Sequence, residues 1–303
     1  MIQNKNVIDM NSNKIKAILH STRPKTLSAS LAPVIIGSSI AAKFQKFDFS
    51  IFLVIAICAI FIQIITNFIN EIYDFKKGAD NPLRLGPTRS VSSGLISVKT
   101  MSIISIILII LTFLLGLILV NYSNYYILIV GILSLLFAWA YTGGPYPLAY
   151  NGLAEPMVFI FFGIIAVNGT IYVFTKEITE IGLITSCMPG FLSTTLLMVN
   201  NIRDIPTDEL VGKNTLAVKL GKEQSRHLYF LLHFIVMFIP VFLAINQQSY
   251  IYLLPLLSLP LNIRAAITIY YKEGSELNKI LALNGLLIII NGILTSISFL
   301  LDN

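Results

Sequence analysis

Nine runs of mostly apolar residues, at about 26–43, 49–75, 99–120, 124–141, 153–173, 178–202, 224–245, 249–271 and 277–301, limit what this chain can become. Each approaches the roughly 20 residues that a helix needs to cross a bilayer. In hydrocarbon every backbone N–H and C=O must be satisfied within the structure, and continuous runs of this length do so as helices. The predicted fold is therefore all-α, a polytopic membrane protein of about nine transmembrane helices. Composition agrees: 12% of the 303 residues are charged, against about 25% in a soluble domain. The spans leave no room for a large extramembrane domain. Residues 1–25 read as a polar, basic N-terminal segment without a secretory signal's apolar core, and 26–303 as a single transmembrane domain with longer connections at about 76–98 and 203–223.

The net charge of +6 needs no nucleic acid to explain it, because basic residues gather in cytoplasmic loops. Nine helices put the termini on opposite sides. Seventeen Lys and Arg then fall on the N-terminal side and three, Lys43, Lys46 and Lys176, on the other; Arg264 lies within a span. The N-terminus is predicted cytoplasmic and the C-terminus outside, in a bacterial cell membrane. Cys58 and Cys187 lie in apolar runs, which excludes a disulfide framework or thiolate metal site as an expectation.

The second run ends in Asn67, Asn70, Glu71 and Asp74, which share one helical face. Asp80 follows across a turn that contains Gly78 and can fold back toward that face. After the sixth run, Asn200, Asp204 and Asp208 repeat at i, i+4, i+8, with a bend or end of the helix expected at Pro206. The two clusters suggest a loose internal repeat, the second and third helices matching the sixth and seventh. Clustered carboxylates repel unless a cation intervenes. Mg²⁺ takes one or two carboxylates together with water and substrate phosphates, so the pair of clusters suits a diphosphate held between metal ions. Lys76, Lys77, Arg84, Arg89, Arg203, Lys213 and Lys219 stand nearby to neutralise the remaining phosphate charge.

On Asn70-Glu71-Ile72-Tyr73-Asp74 and Asp204-Ile205-Pro206-Thr207-Asp208, the latter followed by Gly212-Lys213-Asn214-Thr215, the chain resembles the UbiA superfamily of membrane prenyltransferases. Arg23-Pro24-Lys25-Thr26-Leu27, Asp74-Phe75-Lys76-Lys77-Gly78-Ala79-Asp80 and Tyr141-Thr142-Gly143-Gly144-Pro145-Tyr146-Pro147 make it most similar to the branch that prenylates 1,4-dihydroxy-2-naphthoate. The resemblance implies a helix bundle around a central cavity. It also implies Mg²⁺-dependent transfer of a polyprenyl chain from polyprenyl diphosphate to the naphthoate, with loss of CO2 and diphosphate. Asp74, Asp204 and Asp208 would be the catalytic carboxylates, and Asn70, Glu71 and Asp80 further metal ligands. Glu71 stands where the family has Asp, and Gly78 where it commonly has a third acid, with Asp80 the nearest substitute.

Tyr141 and Tyr146 border the Gly143-Gly144-Pro145 turn and can face either a carbocation or the membrane interface, as Trp139 faces the interface. Arg23 and Lys25 can bind the acceptor carboxylate or serve as topology signals. Asn168, Asn262, Asn284, Asn291 and Arg264 are expensive in lipid and should turn inward, Arg264 toward the head-group site. The alternatives are another aromatic acceptor, such as 4-hydroxybenzoate, or a membrane cation transporter. The charge count yields a direct test. Cysteines placed at Ser93 and Asn214 should be labelled by an impermeant thiol reagent from the cytoplasmic face, and one at Gln247 from outside; labelling of 93 and 214 from opposite faces overturns the topology.

Overall fold

The computed structural model describes residues 14–80 and 84–302, and all of its regular structure is helical. Lys5 and the rest of residues 1–13 lie outside the described residues. Helix α1 (14–21) leads through a turn at Pro24–Thr26 into α2 (Ser28–Lys43), bent by 52° from the first arm. There follow α3 (Phe49–Lys76), α4 (Val98–Tyr122), α5 (Tyr126–Ala140) and α6 (Ala154–Thr175), then α7 (Glu180–Leu210), α8 (Leu216–Asn246), α9 (Tyr250–Thr268) and α10 (Gly274–Leu301). Polar residues just before the apolar runs set several starts. The side chains of Asp48, Ser97, Thr179 and Thr215 accept from the first backbone N–H groups of α3, α4, α7 and α8, groups that have no partner inside the helix.

Helices α2 to α10 coincide with the nine apolar runs. Seven are long and apolar enough to cross a membrane, and the bent α1–α2 pair makes an eighth. Helix α5, with 15 residues, rises only about 22 Å, short of the roughly 30 Å hydrocarbon core. Its start is drawn in because Asn124 Oδ1 caps the Tyr126 N–H at 3.0 Å.

The second expected loop is shorter than 203–223. Helix α7 runs through Pro206 to Leu210, so Asp208 is helical, and α8 starts at Leu216 with a kink at Gly221. Proline deletes one backbone bond, at a cost of about 3 kcal/mol in a helix interior. Burial of Ile202, Arg203 and Asp208 on both sides of it offsets that loss.

Helix α7 is central, with 67% of its apolar window buried, whereas α4, at 17%, turns most of its surface to lipid. Helix α7 packs on α8, α2 on α10 and α3 on α4. Because lipid is as apolar as leucine, such contacts depend on close packing and interhelical hydrogen bonds. Gly163, in a π-helical turn of α6 (Ile160–Ile165), meets Gly190 of α7, and a Cβ on Gly163 would lie 2.6 Å from the Ser186 carbonyl oxygen. Asn284 donates to Tyr229 Oη at 2.8 Å, Asn291 to Ser258 at 2.9 Å, and Asn262 pairs with His233, while Asn168 bonds the Ile164 carbonyl in its own helix. These Asn residues do turn inward. Arg264 does not: it is exposed on α9 and lines neither cavity, its long side chain placed at the bundle surface by the helix register.

The tight α6–α7 crossing predicts that Gly163→Ala lowers stability by about 1–3 kcal/mol. Gly169→Ala, with open space at its Cβ position, should be near neutral. Thermal unfolding in detergent compares the two.

Candidate active site

The C-terminal ends of α3 and α7 meet the α1–α2 bend, the described parts of the connection after α3 (77–80 and 84–97) and the connection 211–215 around a chamber of about 250 Å³. Its walls carry five carboxylates, Glu71, Asp74, Asp80, Asp204 and Asp208, and six bases, Arg23, Lys25, Arg84, Arg89, Arg203 and Lys213. The positive φ of Gly78 (+72°), with the Ala79 N–H returning to the Asp74 carbonyl at 2.9 Å, brings Asp80 back beside α3. Glycine takes this left-handed conformation without the Cβ penalty.

Asn70 is the hub of the first cluster. Its Oδ1 accepts from Arg23 and, at 3.2 Å, from Arg89, and its Nδ2 donates to Asp74 Oδ2 at 2.9 Å. Asp74 Oδ1 accepts from the Tyr150 hydroxyl at 2.9 Å. Glu71 accepts the Val91 N–H at 2.9 Å and so ties the 77–97 connection to α3. Asp80 Oδ1 lies 3.4 Å from Arg84 Nε and 3.3 Å from Arg89 Nε. In the second cluster Arg203 grips Asp204 through two bonds of 2.8 and 2.7 Å and reaches Asn278 of α10 with its remaining nitrogen. Lys213 joins the clusters, 3.9 Å from Asp74 and 3.6 Å from Asp208.

Burial and the charge of Asp74 push Asp80 up to about 7, against Arg84 and Arg23. Burial alone would lower Lys213, but Asp74, Asp208 and Asp204 more than offset it and hold the ammonium above its ordinary range. Burial and then Asp74 raise the Tyr150 phenol, and burial and then Glu155 raise that of Tyr141, so both stay protonated donors.

Beneath this chamber lies an apolar one of about 310 Å³ between α2, α3, α4, α5, α6 and α7. Arg23, Thr26, Asn70, Tyr141, Leu197 and Asn200 line both, so the charged chamber and the apolar one adjoin at a shared wall. Arg23 holds this junction with a left-handed backbone (φ 52°) that costs a non-glycine residue of order 1 kcal/mol or more.

Most of the residues singled out from the sequence converge here, but some do not. Asn67 lines the apolar chamber only, its amide held by the Thr22 carbonyl at 2.9 Å. Lys77 lies at the rim over the Tyr150 ring (4.0 Å), donating to the Thr142 carbonyl. Lys76 leaves the chamber to stack on Tyr73, because the helical period turns it off the Asn70–Asp74 face. Tyr146 is 60% exposed, and Lys219 is spent on the Asn151 carbonyl at 2.7 Å. Tyr150 was missed, since nothing in its spacing relates it to Asp74, 76 positions away.

Among the described residues, no three His, Cys, Asp or Glu side chains stand close enough to cage a metal unaided. Asp80 Oδ2 and Asp208 Oδ2 are nevertheless buried without partners at the chamber. Two orphaned carboxylate oxygens suit a hard cation that completes its shell with water and phosphate, so the residues fit Mg²⁺.

A charged chamber adjoining an apolar one at one end of a membrane helix bundle offers the two environments that an amphiphile with an anionic head requires. The chain belongs to the UbiA prenyltransferase family, whose model matches residues 30–286. It is 33% identical to the 1,4-dihydroxy-2-naphthoate octaprenyltransferase of Haemophilus influenzae over 96% of this chain and 98% of that protein. To the enzyme of the same name from Mycobacterium tuberculosis it is 37% identical, over 68% and 70%. The fold matches a UbiA homolog from Aeropyrum pernix K1 with a TM-score of 0.72 at 16% identity, over 88% of this chain and 96% of that one. It also matches an Archaeoglobus fulgidus homolog bound to DMAPP and Mg²⁺, with a TM-score of 0.62 at 16% identity over 92% and 99%. Membership of this family sets aside the transporter alternative.

The geometry separates the bases. Lys76→Ala, Tyr146→Phe and Lys219→Ala should leave prenyl transfer within about twofold of wild type, as surface changes do. Arg23→Ala and Lys213→Ala should lower kcat/KM at least about tenfold through lost charge-assisted bonds. Steady-state kinetics on the five variants tests this.

Proposed function

We propose that this protein transfers a polyprenyl chain from polyprenyl diphosphate to 1,4-dihydroxy-2-naphthoate, releasing CO2 and diphosphate and forming the quinol form of demethylmenaquinone. Mg²⁺ is the cofactor, and the charged chamber lies on the cytoplasmic side of a bacterial cell membrane. The observation that carries this reading is the shared wall between the chambers: a diphosphate in the upper one places its allylic carbon at the junction and its tail in the lower one. Two relatives named as enzymes of this reaction, matching from two thirds to nearly all of this chain, support the choice of acceptor.

The work of the chain's own residues follows from charge. Arg23, Arg84, Arg89 and Lys213 receive negative charge as the allylic C–O bond breaks, stabilising the departing diphosphate. Asp74, Asp80, Asp204 and Asp208 would hold Mg²⁺, which when bound supplies further positive charge to the same oxygens. Tyr141, Leu197 and the apolar wall below keep water from the allylic cation, leaving the electron-rich ring as nucleophile. The new C–C bond forms at the ring carbon that bears the carboxylate. That carboxylate leaves as CO2, and its C–C bonding pair restores the aromatic ring.

Incubating the purified protein with polyprenyl diphosphate, Mg²⁺ and either dihydroxynaphthoate or 4-hydroxybenzoate, with products weighed by mass spectrometry, decides the acceptor. A prenylated, decarboxylated naphthoquinol is expected, and prenylated 4-hydroxybenzoate alone would overturn the choice. EDTA should abolish turnover and Mg²⁺ restore it. Asp74→Asn, Asp204→Asn or Asp208→Asn should each cost at least about 10²-fold, roughly 2.7 kcal/mol, while Glu71→Asp should stay within about tenfold. Gly131, in the lower wall with open space at its Cβ position, supplies a separate check: Gly131→Phe should impair long-chain donors far more than geranyl diphosphate in competition assays.

A further inference from the structure

Asn201 lines the charged chamber on the same face of α7 as Asp208, seven positions on, and about 60° around the helix from Asp204. Its Nδ2 donates to Glu155 Oε1 at 2.8 Å, in the first turn of α6. Glu155 is 4% exposed, its other oxygen has no partner, and its backbone carbonyl accepts from Thr194 at 3.5 Å.

The amide presents its NH2 to Glu155, whose carboxyl oxygen accepts the hydrogen bond. The pair thereby decides which way the Asn201 amide points. Oδ1 turns away from Glu155 and, with no hydrogen-bond partner among the described residues, is the group that Asn201 offers to the chamber. Burying a carboxylate is costly unless something requires it, and the orientation of this amide is such a requirement. Asn200, the residue before Asn201, lines the junction of the two chambers together with Tyr141, and Asn201 lines the charged one. What Oδ1 can bind follows from the occupants. A diphosphate presents only acceptor oxygens, a polyprenyl tail presents no polar group, and a cation is drawn first to the unpartnered carboxylate oxygens of Asp80 and Asp208. The donor left is a hydroxyl on the aromatic acceptor.

We infer that Asn201, oriented by Glu155, binds a ring hydroxyl of the aromatic acceptor, with Glu155 as a positioning residue. This rests on the function proposed above and adds the acceptor site to it.

The test compares an acceptor with its methyl ether, which lacks the donor, using the full-length protein in nanodiscs. In wild type the hydroxyl form is preferred. Asn201→Leu should raise the acceptor KM about tenfold, the size of one buried hydrogen bond, and collapse the preference for hydroxyl over ether. KM for the diphosphate and the half-saturating Mg²⁺ concentration should stay within twofold. Glu155→Gln is nearly isosteric but lets the Asn201 amide flip, so it should erode the same preference, whereas Glu155→Asp should retain part of it. A preference unchanged in both Asn201→Leu and Glu155→Gln overturns the inference, as does a shift in Mg²⁺ or diphosphate dependence in place of the acceptor KM. Should Asn201→Leu fail to fold, Glu155→Gln alone decides. If the wild type prenylates 4-hydroxybenzoate and not the naphthoate, the proposed acceptor is wrong; the same comparison on 4-hydroxybenzoate and its ether still decides the role of Asn201. Prenylation of neither overturns both.

Discussion

Charge inside a bilayer-embedded bundle must be compensated, and the polar end of this protein is organised by that need. An isolated buried carboxylate costs several kcal/mol even after relaxation. Here Asp204 is gripped by Arg203 and Asp80 is flanked by Arg84 and Arg89, while Asp74 is bonded by Asn70 and Tyr150. Pairing is nearly complete, yet not fully so. The oxygens left over at Asp80 and Asp208 give the chamber a residual affinity for a cation, and the six bases leave room for an anion. A site that is close to neutral when empty can accept a cation and a diphosphate together more readily than either alone, which ties the two ligands to each other.

The second constraint is the shape of the substrate. Gln63, Asn67, Asn70 and Asp74 share one face of α3, and along them the wall changes from apolar chamber to charged chamber. Eleven residues of helix span about 16 Å, so one helix presents both environments in the order that an amphiphile needs. The bend between α1 and α2 supplies the opposite side, placing Arg23 at the junction. Bundle packing serves the same end. Small residues at the α6–α7 crossing draw those helices together, and the π-helical turn there puts both Phe161 and Phe162 on the wall of the apolar chamber.

The number and order of the helices, their near-limits, and the two carboxylate faces were legible in the sequence. They depend on interactions within a few residues: hydrophobic length, the helical period and capping side chains such as Asp48 and Thr179. Gly78 likewise announced the turn that returns Asp80. Helix α7 does not end at Pro206, because propensity is local while the burial of Ile202, Arg203 and Asp208 that carries α7 onward comes from neighbouring helices. Helix α5, read at about 124–141, starts two residues later, where Asn124 caps the Tyr126 N–H.

Which side chains meet was decided by tertiary structure alone. Lys76, Lys77, Lys213 and Lys219 are equivalent as sequence symbols, but only Lys213 lies between Asp74 and Asp208. The other three end on the Tyr73 ring, the Tyr150 ring and the Asn151 carbonyl. Tyr150 and Glu155 carried no motif, yet one bonds Asp74 and the other holds Asn201. The sequence by itself determined a membrane helix bundle with paired acidic faces, because hydrophobic length and the 3.6-residue period act along one chain. The balance of charge in the chamber, its junction with the apolar path and the direction of the Asn201 amide depend on distances between helices far apart in sequence, and packing alone sets those.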